Sequence, residues 1–364
     1  GLTLAEADVL RRGMSGKFRS REEFTKVQER FYANCTKRGY APELVASVWH
    51  QIASFAGYAF ATGHSASYAV ASYQSLYLKA YFPLEYMTAT VNNFGGYYRT
   101  EIYVHEARKY GAQIEAPCIL EGFHSCVLYG KRLVLGFVLV EGLEVEVVRH
   151  ILEERKQGPF QDFEDFLNRV SVPLDQMAIL IRIGAFRGFG VSRKQLLWRA
   201  HYRLCTAPPK ARQQGLFMAP GQEFVLPDFE EHPMEEVFDQ LDLLGFPLCN
   251  PFDLLSEPIP QHTPAAQIPH SRSLHLETYG YLVTVKRSKT SRGDYMHFGT
   301  FLDVHGDTLD TVHFPESGRK YPFQGKGIYR LKGVVSEAFD YFSLEVGEMQ
   351  KLRWMDDVRY REVG

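Results

Sequence analysis

Hydrophobic positions recur with two different periods along this chain. Up to about residue 118 they recur at helical spacing, beginning with the segment Asp8–Met14. The spacing, together with the prolines and capping residues, predicts further helices over Glu22–Arg38, Pro42–Phe55, His64–Tyr81, Leu84–Asn92 and Arg99–Tyr110. The helix His64–Tyr81 is apolar or aromatic on nearly every side, so we expect neighbouring elements to enclose it.

Short strands replace the helical pattern after Cys118. They are predicted over Phe123–Leu128 and Arg132–Phe137. Two glycine hairpins that lead into helices follow, in the segments Val140–Arg155 and Asp175–Lys194. This layout is typical of a tandem helix-hairpin-helix, in which backbone N–H groups of the hairpin bind a phosphate of duplex DNA.

The two hairpins differ in charge. Gly142 of the first hairpin lies among Glu141, Glu144 and Glu146, which repel a phosphate and favour a structural role for this copy. The second hairpin is surrounded by basic residues and is the better candidate. The candidate contacts to duplex DNA are Gly142 of the first hairpin and Arg182, Gly184, Arg187, Arg193 and Lys194 of the second.

The carboxy-terminal part returns to strands. A polar linker begins at Ala207, an acidic helix ends at Gly245, and Pro258–Pro269 is predicted to be a proline-rich tether. Five strands are predicted after it, over Tyr279–Arg287, Asp294–Val304, Leu309–Phe314, Gly327–Val335 and Tyr341–Val346. Five short strands in succession predict an OB-fold β-barrel. We therefore expect an α+β multidomain protein with boundaries at 1–118, 119–206, 207–270 and 271–354, and a tail at 355–364.

The hairpin between the first two barrel strands is basic and has aromatic residues beside it. Such barrels hold single-stranded DNA through phosphate charge and base stacking. The alternative is a solvated hairpin over a β core. The candidate contacts are Lys286, Arg287, Lys289, Arg292, Tyr295 and Phe298.

Charge is distributed unevenly, although the net charge is only −2. No Lys or Arg occurs from Gln213 to Ser271, and basic zones lie on both sides of that gap. Two basic zones with an acidic connector fit a DNA path better than the net charge does. The five cysteines show no metal-ligand or disulfide spacing. No apolar run is long enough for a membrane span and no leader is recognisable, so we expect a cytoplasmic protein without a membrane partner.

The stretch Phe55–Pro83 contains a further candidate site. His64 and Ser65 follow Gly63 where a helix begins, and the N–H groups of a first helical turn favour an anion such as a phosphate. The alternative is a core helix with a satisfied histidine. In the segment Asp8–Met14, Arg11 and Arg12 are adjacent, so at least one of them faces away from the core.

Two stretches carry a resemblance to a known family. The first matches the pattern A-D-x-L-R-R-x-M-x-x-K at Asp8, Leu10, Arg11, Arg12, Met14 and Lys17. The second matches F-x-x-Y-x-F-x-x-x-H-[SA]-A-x-Y-x-x-x-S-Y-Q-x-x-x-L-K-x-x-x-P at Phe55, Tyr58, Phe60, His64, Ser65, Ala66, Tyr68, Ser72, Tyr73, Gln74, Leu78, Lys79 and Pro83. The chain thus resembles the fingers region and following parts of the alpha subunit of bacterial DNA polymerase III, the C-family replicative polymerase. It departs at Ala61–Gly63, where many members carry Asn-Lys-Ser, so a basic side chain is absent there.

The resemblance implies a helical fingers region that contacts the incoming deoxynucleotide triphosphate and the template. The residues implied in phosphate contacts are Arg11, Arg12, Lys17, His64, Ser65 and Tyr68. It also implies that the pentapeptide Gln213–Phe217 binds the sliding clamp, because it matches the pattern Q-x-x-L-F. Leu216 and Phe217 would fill an apolar pocket, and Gln213 would hydrogen-bond at its edge.

No strand with an Asp-x-Asp pair for two magnesium ions is recognisable. The resemblance implies that a catalytic palm holding Mg²⁺ belongs to a part of the enzyme preceding residue 1, and that no cofactor is bound by this chain. The chain is then expected to bind primed duplex DNA, single-stranded template and clamp within the holoenzyme, but not to polymerise alone. A stand-alone DNA-binding or repair-scaffold protein is the alternative.

Overall fold

A computed structural model describes residues 2–14, 21–54, 62–206, 232, 234–290, 293–338 and 341–360. The chain divides into two compact units, Gly1–Tyr81 and Phe82–Gly364. The predicted boundary at residue 118 therefore differs from this division, since the two helices before it group with the second unit.

The first unit is helical, as the spacing predicted. Its helices are α1 (Leu4–Met14), α2 (Arg21–Lys37), α3 (Pro42–Ser54) and α4 (Thr62–Tyr81). A small core joins α1, α2 and α3, in which the rings of Phe31 and Trp49 lie 5.3 Å apart and Leu10, Val27 and Val45 are buried beside them. None of the residues of this core comes from α4.

Helix α4 is exposed, so the expectation that neighbours enclose it was wrong. Tyr68, Tyr73, Leu76 and Tyr81 are 67%, 72%, 66% and 68% exposed. An apolar pattern measures how much surface a helix can bury, not whether another element covers that surface.

The second unit begins with α5 (Pro83–Asn92), α6 (Thr100–Lys109) and a three-stranded sheet. Strand β3 (Arg132–Val134) lies in the middle, parallel to β1 (Gln113–Glu115) and antiparallel to β2 (Val127–Tyr129). The sequence predicted the hairpin of β2 and β3 but missed β1, which is three residues long and pairs with a distant strand.

Four helices follow in a helical layer, namely α7 (Val145–Gln157), α8 (Phe163–Arg169), α9 (Leu174–Arg182) and α10 (Arg193–Thr206). The ring of Phe186 packs edge-on against the rings of Phe163 and Phe166, at 5.1 and 4.9 Å. All three rings are buried, so the segment between the two hairpins packs against the second hairpin.

The last part is a closed barrel of five strands. Its strands are β4 (His275–Lys289), β5 (Tyr295–Leu302), β6 (Thr308–His313), β7 (Ile328–Ala338) and β8 (Tyr341–Lys351), in the order β4-β5-β6-β8-β7. Helix α12 (Pro315–Lys320) lies between the third and fourth strands, and β6 pairs in parallel with β8 to close the barrel. The predicted OB-fold is confirmed.

Helix α11 (Glu235–Leu244) ends at Gly245, which adopts the left-handed conformation with φ +79°. The segment predicted as a tether is only partly free. Its residues Ala265 and Ile268 pack into the barrel core, and the N–H of Ala265 donates to Asp303 at 2.9 Å. The prolines predicted a tether, but these two apolar residues fix part of the segment on the barrel.

Candidate nucleic-acid interface

Of the residues implied in nucleotide contacts, Arg11 and Arg12 belong to α1, and His64, Ser65 and Tyr68 belong to α4. Arg11 already has a partner, because its guanidinium donates to Asp8, one turn earlier, at 2.8 Å. His64, Ser65 and Tyr68 lie in the first turns of α4 and are exposed. His64 and Tyr68 are four residues apart and therefore share a face. The side chain of Arg12 and the whole of Lys17 lie outside the described residues, as do residues 55–61.

Backbone groups of the first hairpin hydrogen-bond to the side chain of Gln176 and to helix α11. The buried side chain of Gln176 accepts from the N–H of Glu144 at 2.8 Å and donates to the carbonyl of Gly142 at 3.1 Å. The N–H of Glu141 donates to the carbonyl of Leu243, on α11, at 2.7 Å. Gly142 has a φ of +77°, a conformation that only glycine adopts readily. Two N–H groups of the hairpin are thus engaged within the protein.

The second hairpin has the same local geometry. Gly184 also has a φ of +77°, and the N–H groups of Gly184 and Ala185 donate to the carbonyls of Ile181 and Leu180, both at 3.0 Å. These bonds end α9 and turn the chain toward α10. A second left-handed glycine, Gly190, precedes α10.

Each of the four cations predicted at this hairpin has an acidic partner. Arg182 donates to Asp239 at 2.7 Å and to Asp242 at 2.8 Å, while Lys194 donates to Glu235 at 3.0 Å. Arg193 lies 3.5 Å from Glu236, and Arg187 donates to Glu115 at 3.1 Å. Three of the four are therefore paired with the same acidic helix, α11. The sequence shows that the stretch containing the acidic helix has no Lys or Arg. No local pattern indicates that this helix packs against the second hairpin.

Asp239 is the centre of this arrangement. Its side chain is only 5% exposed. Its carboxylate oxygens lie 2.7, 3.9 and 2.9 Å from guanidinium nitrogens of Arg182, Arg193 and Arg359, and Arg359 belongs to the carboxy-terminal tail. The tail is further fixed by the pairing of Arg359 with Asp357 at 2.7 Å, and this pairing lowers the pKa of Asp357. One buried carboxylate thus joins the second hairpin, the connecting helix and the tail.

The basic hairpin of the barrel joins β4 to β5. Arg287 and Lys289 are exposed, and the guanidinium carbon of Arg287 lies 3.3 Å from the ring centroid of Tyr295. The ammonium of Lys289 lies 5.5 Å from the same ring. A cation over an aromatic face gains roughly 0.5–1 kcal/mol at an exposed site and holds the ring in place. Arg292 lies outside the described residues.

The other two candidates of the barrel lie on its outer surface. Lys286 pairs in register with Phe298, and Phe298 pairs with Val312 on β6. Phe298 is 40% exposed, whereas its neighbours Gly299 and Phe301 are buried. Strands β5 and β6 are the second and third of the barrel, whose outer face is where OB-folds bind oligonucleotides.

The barrel is joined to helix α6 by a buried contact that the sequence did not reveal. Glu101 accepts a hydrogen bond from the hydroxyl of Tyr281 at 2.7 Å and pairs with Lys326 at 2.5 Å. Burial and the charge of Glu101 raise the pKa of Tyr281. Further along α6, His105 and Lys109 contact Gly306 and Asp307, at 3.0 and 2.8 Å.

The pentapeptide predicted to bind a clamp, with Gln213, Leu216 and Phe217, lies outside the described residues. Among the residues that are described, no group of three or more His, Cys, Asp or Glu is arranged to hold a metal ion. Asp239, the most buried carboxylate of α11, is surrounded by arginines instead, so these residues do not fit a two-magnesium site. Within the same ranges, no helix has the length and apolarity that a membrane crossing requires.

A helix-hairpin-helix family model matches residues 111–196, which covers both hairpins. The chain is 29% identical to the DNA polymerase III alpha subunit of Treponema pallidum over 86% of its own length, and 27% identical to that of Borreliella burgdorferi over its whole length. It spans only 28% and 34% of the length of these two relatives.

Part of the chain is similar to small solved OB-fold proteins. A mitochondrial single-stranded DNA binding protein of S. cerevisiae matches 23% of this chain and 99% of its own, with 8% identity and a TM-score of 0.20. The second OB-fold domain of replication protein A from Methanococcus maripaludis matches 24% of this chain and 91% of its own, with 11% identity and a TM-score of 0.18.

The DNA polymerase III alpha subunit of Bacillus subtilis is 28% identical to this chain over 88% of its length. The match to the Borreliella burgdorferi subunit covers the whole chain. It therefore includes the helices, the two hairpins and the barrel. The chain is therefore similar in sequence to the bacterial DNA polymerase III alpha subunit, and the similarity is consistent with the carboxy-terminal portion of that subunit.

Proposed function

We propose that this chain is the DNA-holding portion of a DNA-directed DNA polymerase III alpha subunit. In this role the helix-hairpin-helix layer holds the primed duplex and the barrel guides the single-stranded template. The fingers helices contact the incoming deoxynucleotide through the side chains on α1 and α4. The described residues do not fit a magnesium site, so no step of nucleotide addition is assigned to them.

One observation carries the proposal most directly, the cationic aromatic hairpin of the barrel. Arg287 and Lys289 both approach the ring of Tyr295, at 3.3 and 5.5 Å, and remain exposed. A positively charged surface with a fixed aromatic ring binds the two parts of a single strand, its phosphates and its bases. No acidic partner is described for either cation, in contrast to the arginines of the second hairpin.

The duplex role rests on the second hairpin. Its glycine geometry matches that of the first, and its cations outnumber the acids of its own segment. Because α11 already pairs with Arg182, Arg193 and Lys194, duplex DNA must compete with these carboxylates for the three cations. We therefore propose that DNA affinity at this hairpin is set by the acidic helix as well as by the cations.

Clamp binding by Gln213, Leu216 and Phe217 and triphosphate contacts by Arg11, Arg12, Lys17, His64, Ser65 and Tyr68 are parts of the same proposal. The match to the polymerase family supports both. The polymerase activity and the holoenzyme partners of the relatives are proposed for a longer protein that contains this chain.

The direct test is binding of the purified chain to a fluorescein-labelled single strand, followed by anisotropy at two salt concentrations. We expect Arg287→Ala/Lys289→Ala to weaken binding about tenfold. The slope of the logarithm of the binding constant against the logarithm of the salt concentration should fall by the equivalent of about two phosphate contacts. The matched control is Arg272→Ala/Arg353→Ala, which removes two exposed cations that are paired with Glu337 and Asp356 elsewhere on the barrel domain. Equal effects of both double variants would show that only the net charge matters and would refute a specific site at the hairpin.

A second assay tests the absence of catalysis. The purified chain is mixed with a primed template, Mg²⁺ and deoxynucleotide triphosphates. We expect no primer extension, although the primer-template is bound. Extension by the chain alone would contradict the proposal that the catalytic carboxylates belong to another part of the enzyme.

A further inference from the structure

Two tyrosines ahead of helix α6 lie beside the barrel, far from it in sequence. Tyr97 is 74% exposed and Tyr98 is 40% exposed. Their rings stand edge to face, with centroids 5.1 Å apart and an angle of 88° between the planes. Neither belongs to the barrel domain, and neither is among the residues that sequence patterns indicated.

The loop that carries these tyrosines has a fixed backbone. The N–H of Tyr98 donates to the hydroxyl of Tyr103 at 3.1 Å. Gly96 has a φ of +95°, and a Cβ at this position would lie 1.9 Å from the same hydroxyl. Phe94 also has a positive φ, of 47°, which is rare for an aromatic residue. A loop built in this way presents its exposed rings in one arrangement, so little conformational entropy is lost when a base stacks on them.

The position of the loop is set by the contact between α6 and the barrel. Glu101, three residues after Tyr98, is buried against Tyr281 and Lys326. The charge of Asp310, on β6, acts on Tyr98 and, after burial, contributes to raising its pKa. The hydroxyl of Tyr341 donates to the same carboxylate, which raises the pKa of Tyr341 to about 12. Tyr341 and Asp310 lie together at the outer surface of the barrel. Tyr281, the partner of Glu101, pairs in register with Leu302 of β5, and the pair Thr300–Asp310 lies two residues along the same strands.

This surface continues that of β5 and β6. Asp310 pairs in register with Thr300 and accepts a hydrogen bond from its hydroxyl at 2.6 Å. Two residues further along these strands, Phe298 pairs with Val312 on the same outward side. The exposed aromatic residues along it are Phe298 (40%), Tyr341 (58%), Tyr98 (40%) and Tyr97 (74%).

We propose that Tyr97 and Tyr98 form a second base-stacking site for single-stranded DNA, continuous with the outer face of β5 and β6. The inference rests on the proposed function, because it extends the path of the single strand from the basic hairpin across the barrel to the loop before α6. Single-stranded DNA is the occupant that the charges favour. Exposed Arg99 follows the two tyrosines, and Lys286, Arg287 and Lys289 lie at the other end of the path.

Asp310 lies on this path, and both of its oxygens accept hydrogen bonds from within the protein. A strand that turns its bases toward the rings keeps its phosphates at the solvent side, away from Asp310. The site is therefore suited to stacking and not to phosphate contact, so its contribution should depend little on salt.

The test uses the whole purified chain and two labelled oligothymidylates, a short one of about 6 nucleotides and a longer one of about 16, within the range that single OB-folds cover. We expect Tyr97→Ala/Tyr98→Ala to weaken binding of the longer strand about tenfold and that of the short strand much less. Loss of one or two stacked bases gives an effect of this size. The control Tyr110→Ala/Tyr129→Ala removes two other exposed rings of the same unit, 45% and 40% exposed, and should change neither affinity.

Two further measurements keep folding and function apart. Tyr97→Phe/Tyr98→Phe retains both rings and should bind the longer strand as the wild type does, and circular dichroism should show equal folding of all variants. With 5-iodouracil in the longer strand, irradiation should cross-link the tryptic peptide Ala80–Arg99.

The outcomes separate the inference from the proposed function. If the alanine pair binds the longer strand like the wild type while the Arg287→Ala/Lys289→Ala variant loses affinity, the tyrosine site is refuted and the barrel function stands. A surface that serves another protein would give this result. If the wild type binds neither strand, both proposals fail together.

Discussion

The guanidinium of Arg182 donates to the buried carboxylate of Asp239 at 2.7 Å, across 57 residues of sequence. The arginine lies at the hairpin expected to hold duplex DNA, and the aspartate lies on the helix that connects the hairpins to the barrel. This contact makes the second hairpin part of an internal charge network, so its affinity for DNA and its stability are linked.

The first prediction concerns the stability of this network. Asp239→Asn removes the charge that Arg182, Arg193 and Arg359 share, and we expect a loss of about 2–3 kcal/mol in the free energy of unfolding. This is somewhat less than the roughly 3–5 kcal/mol for breaking a fully buried pair, because the arginines are partly exposed. Urea denaturation followed by circular dichroism measures the loss. The control Asp242→Asn, at a 59% exposed side chain, should cost less than about 1 kcal/mol. Similar losses for both variants would contradict the central role of Asp239.

The second prediction concerns competition between α11 and DNA. Glu235→Gln/Glu236→Gln removes two carboxylates that pair with Lys194 and Arg193. We expect tighter binding of duplex DNA and a steeper dependence on salt, because released cations can neutralise phosphates. Anisotropy with a labelled duplex measures both.

The control for that experiment has the same change in charge elsewhere. Glu146→Gln/Glu153→Gln frees Arg149, which pairs with both acids on the exposed surface of α7. If the two double variants raise duplex affinity equally, the second hairpin is not a preferred contact.

The third prediction concerns the pH dependence of the barrel. His313 is fully buried, packs 4.6 Å from the ring of Phe323, and its Nε2 lies 2.9 Å from the hydroxyl of Thr311. Burial, with a smaller effect of His297 on the neighbouring strand, lowers the pKa of His313 to about 4. The unfolded chain binds this proton more readily, near pH 6.5, so stability is full above pH 6.5 and is lost as the pH falls toward 4.

We expect His313→Gln to remove part of that pH dependence. Between pH 6.5 and 4.5 the wild type should lose about 1–3 kcal/mol through this group. Thermal unfolding at both pH values measures the difference. The control His275→Gln, at an exposed position of β4, should keep the wild-type slope. An unchanged slope in His313→Gln would assign the acid sensitivity to other groups.

The fourth prediction concerns the clamp peptide. Leu216→Ala/Phe217→Ala removes the two apolar side chains that would enter a pocket of the sliding clamp. We expect binding of the purified chain to the clamp of its own organism to fall at least tenfold in an anisotropy assay. Phe224→Ala/Leu226→Ala removes a similar pair from the same linker and should have no effect. A wild-type chain that ignores the clamp would refute the assignment of the pentapeptide.

Much of the architecture could be predicted from the sequence, because its signals are local. Helical spacing, capping residues and prolines placed α1 to α6 within a few residues, and turn residues between short apolar runs placed the five barrel strands. Gly142 and Gly184 indicated the hairpins because a left-handed turn favours glycine. Strand β1 was missed, because three residues carry too little pattern to identify a strand without its partner.

The sequence by itself determined the order of the elements, the two hairpins and the barrel, since each depends on residues close together in the chain. Tertiary structure alone decided that α4 is exposed, that Asp239 pairs with Arg182 and Arg359, and that His105 contacts Gly306. These relationships join residues 57 to more than 200 positions apart, as in the bond between His105 and Gly306. Local periodicity contains no information on such distances, because a charge or an apolar ring can be satisfied by solvent, a ligand or any distant segment of the fold.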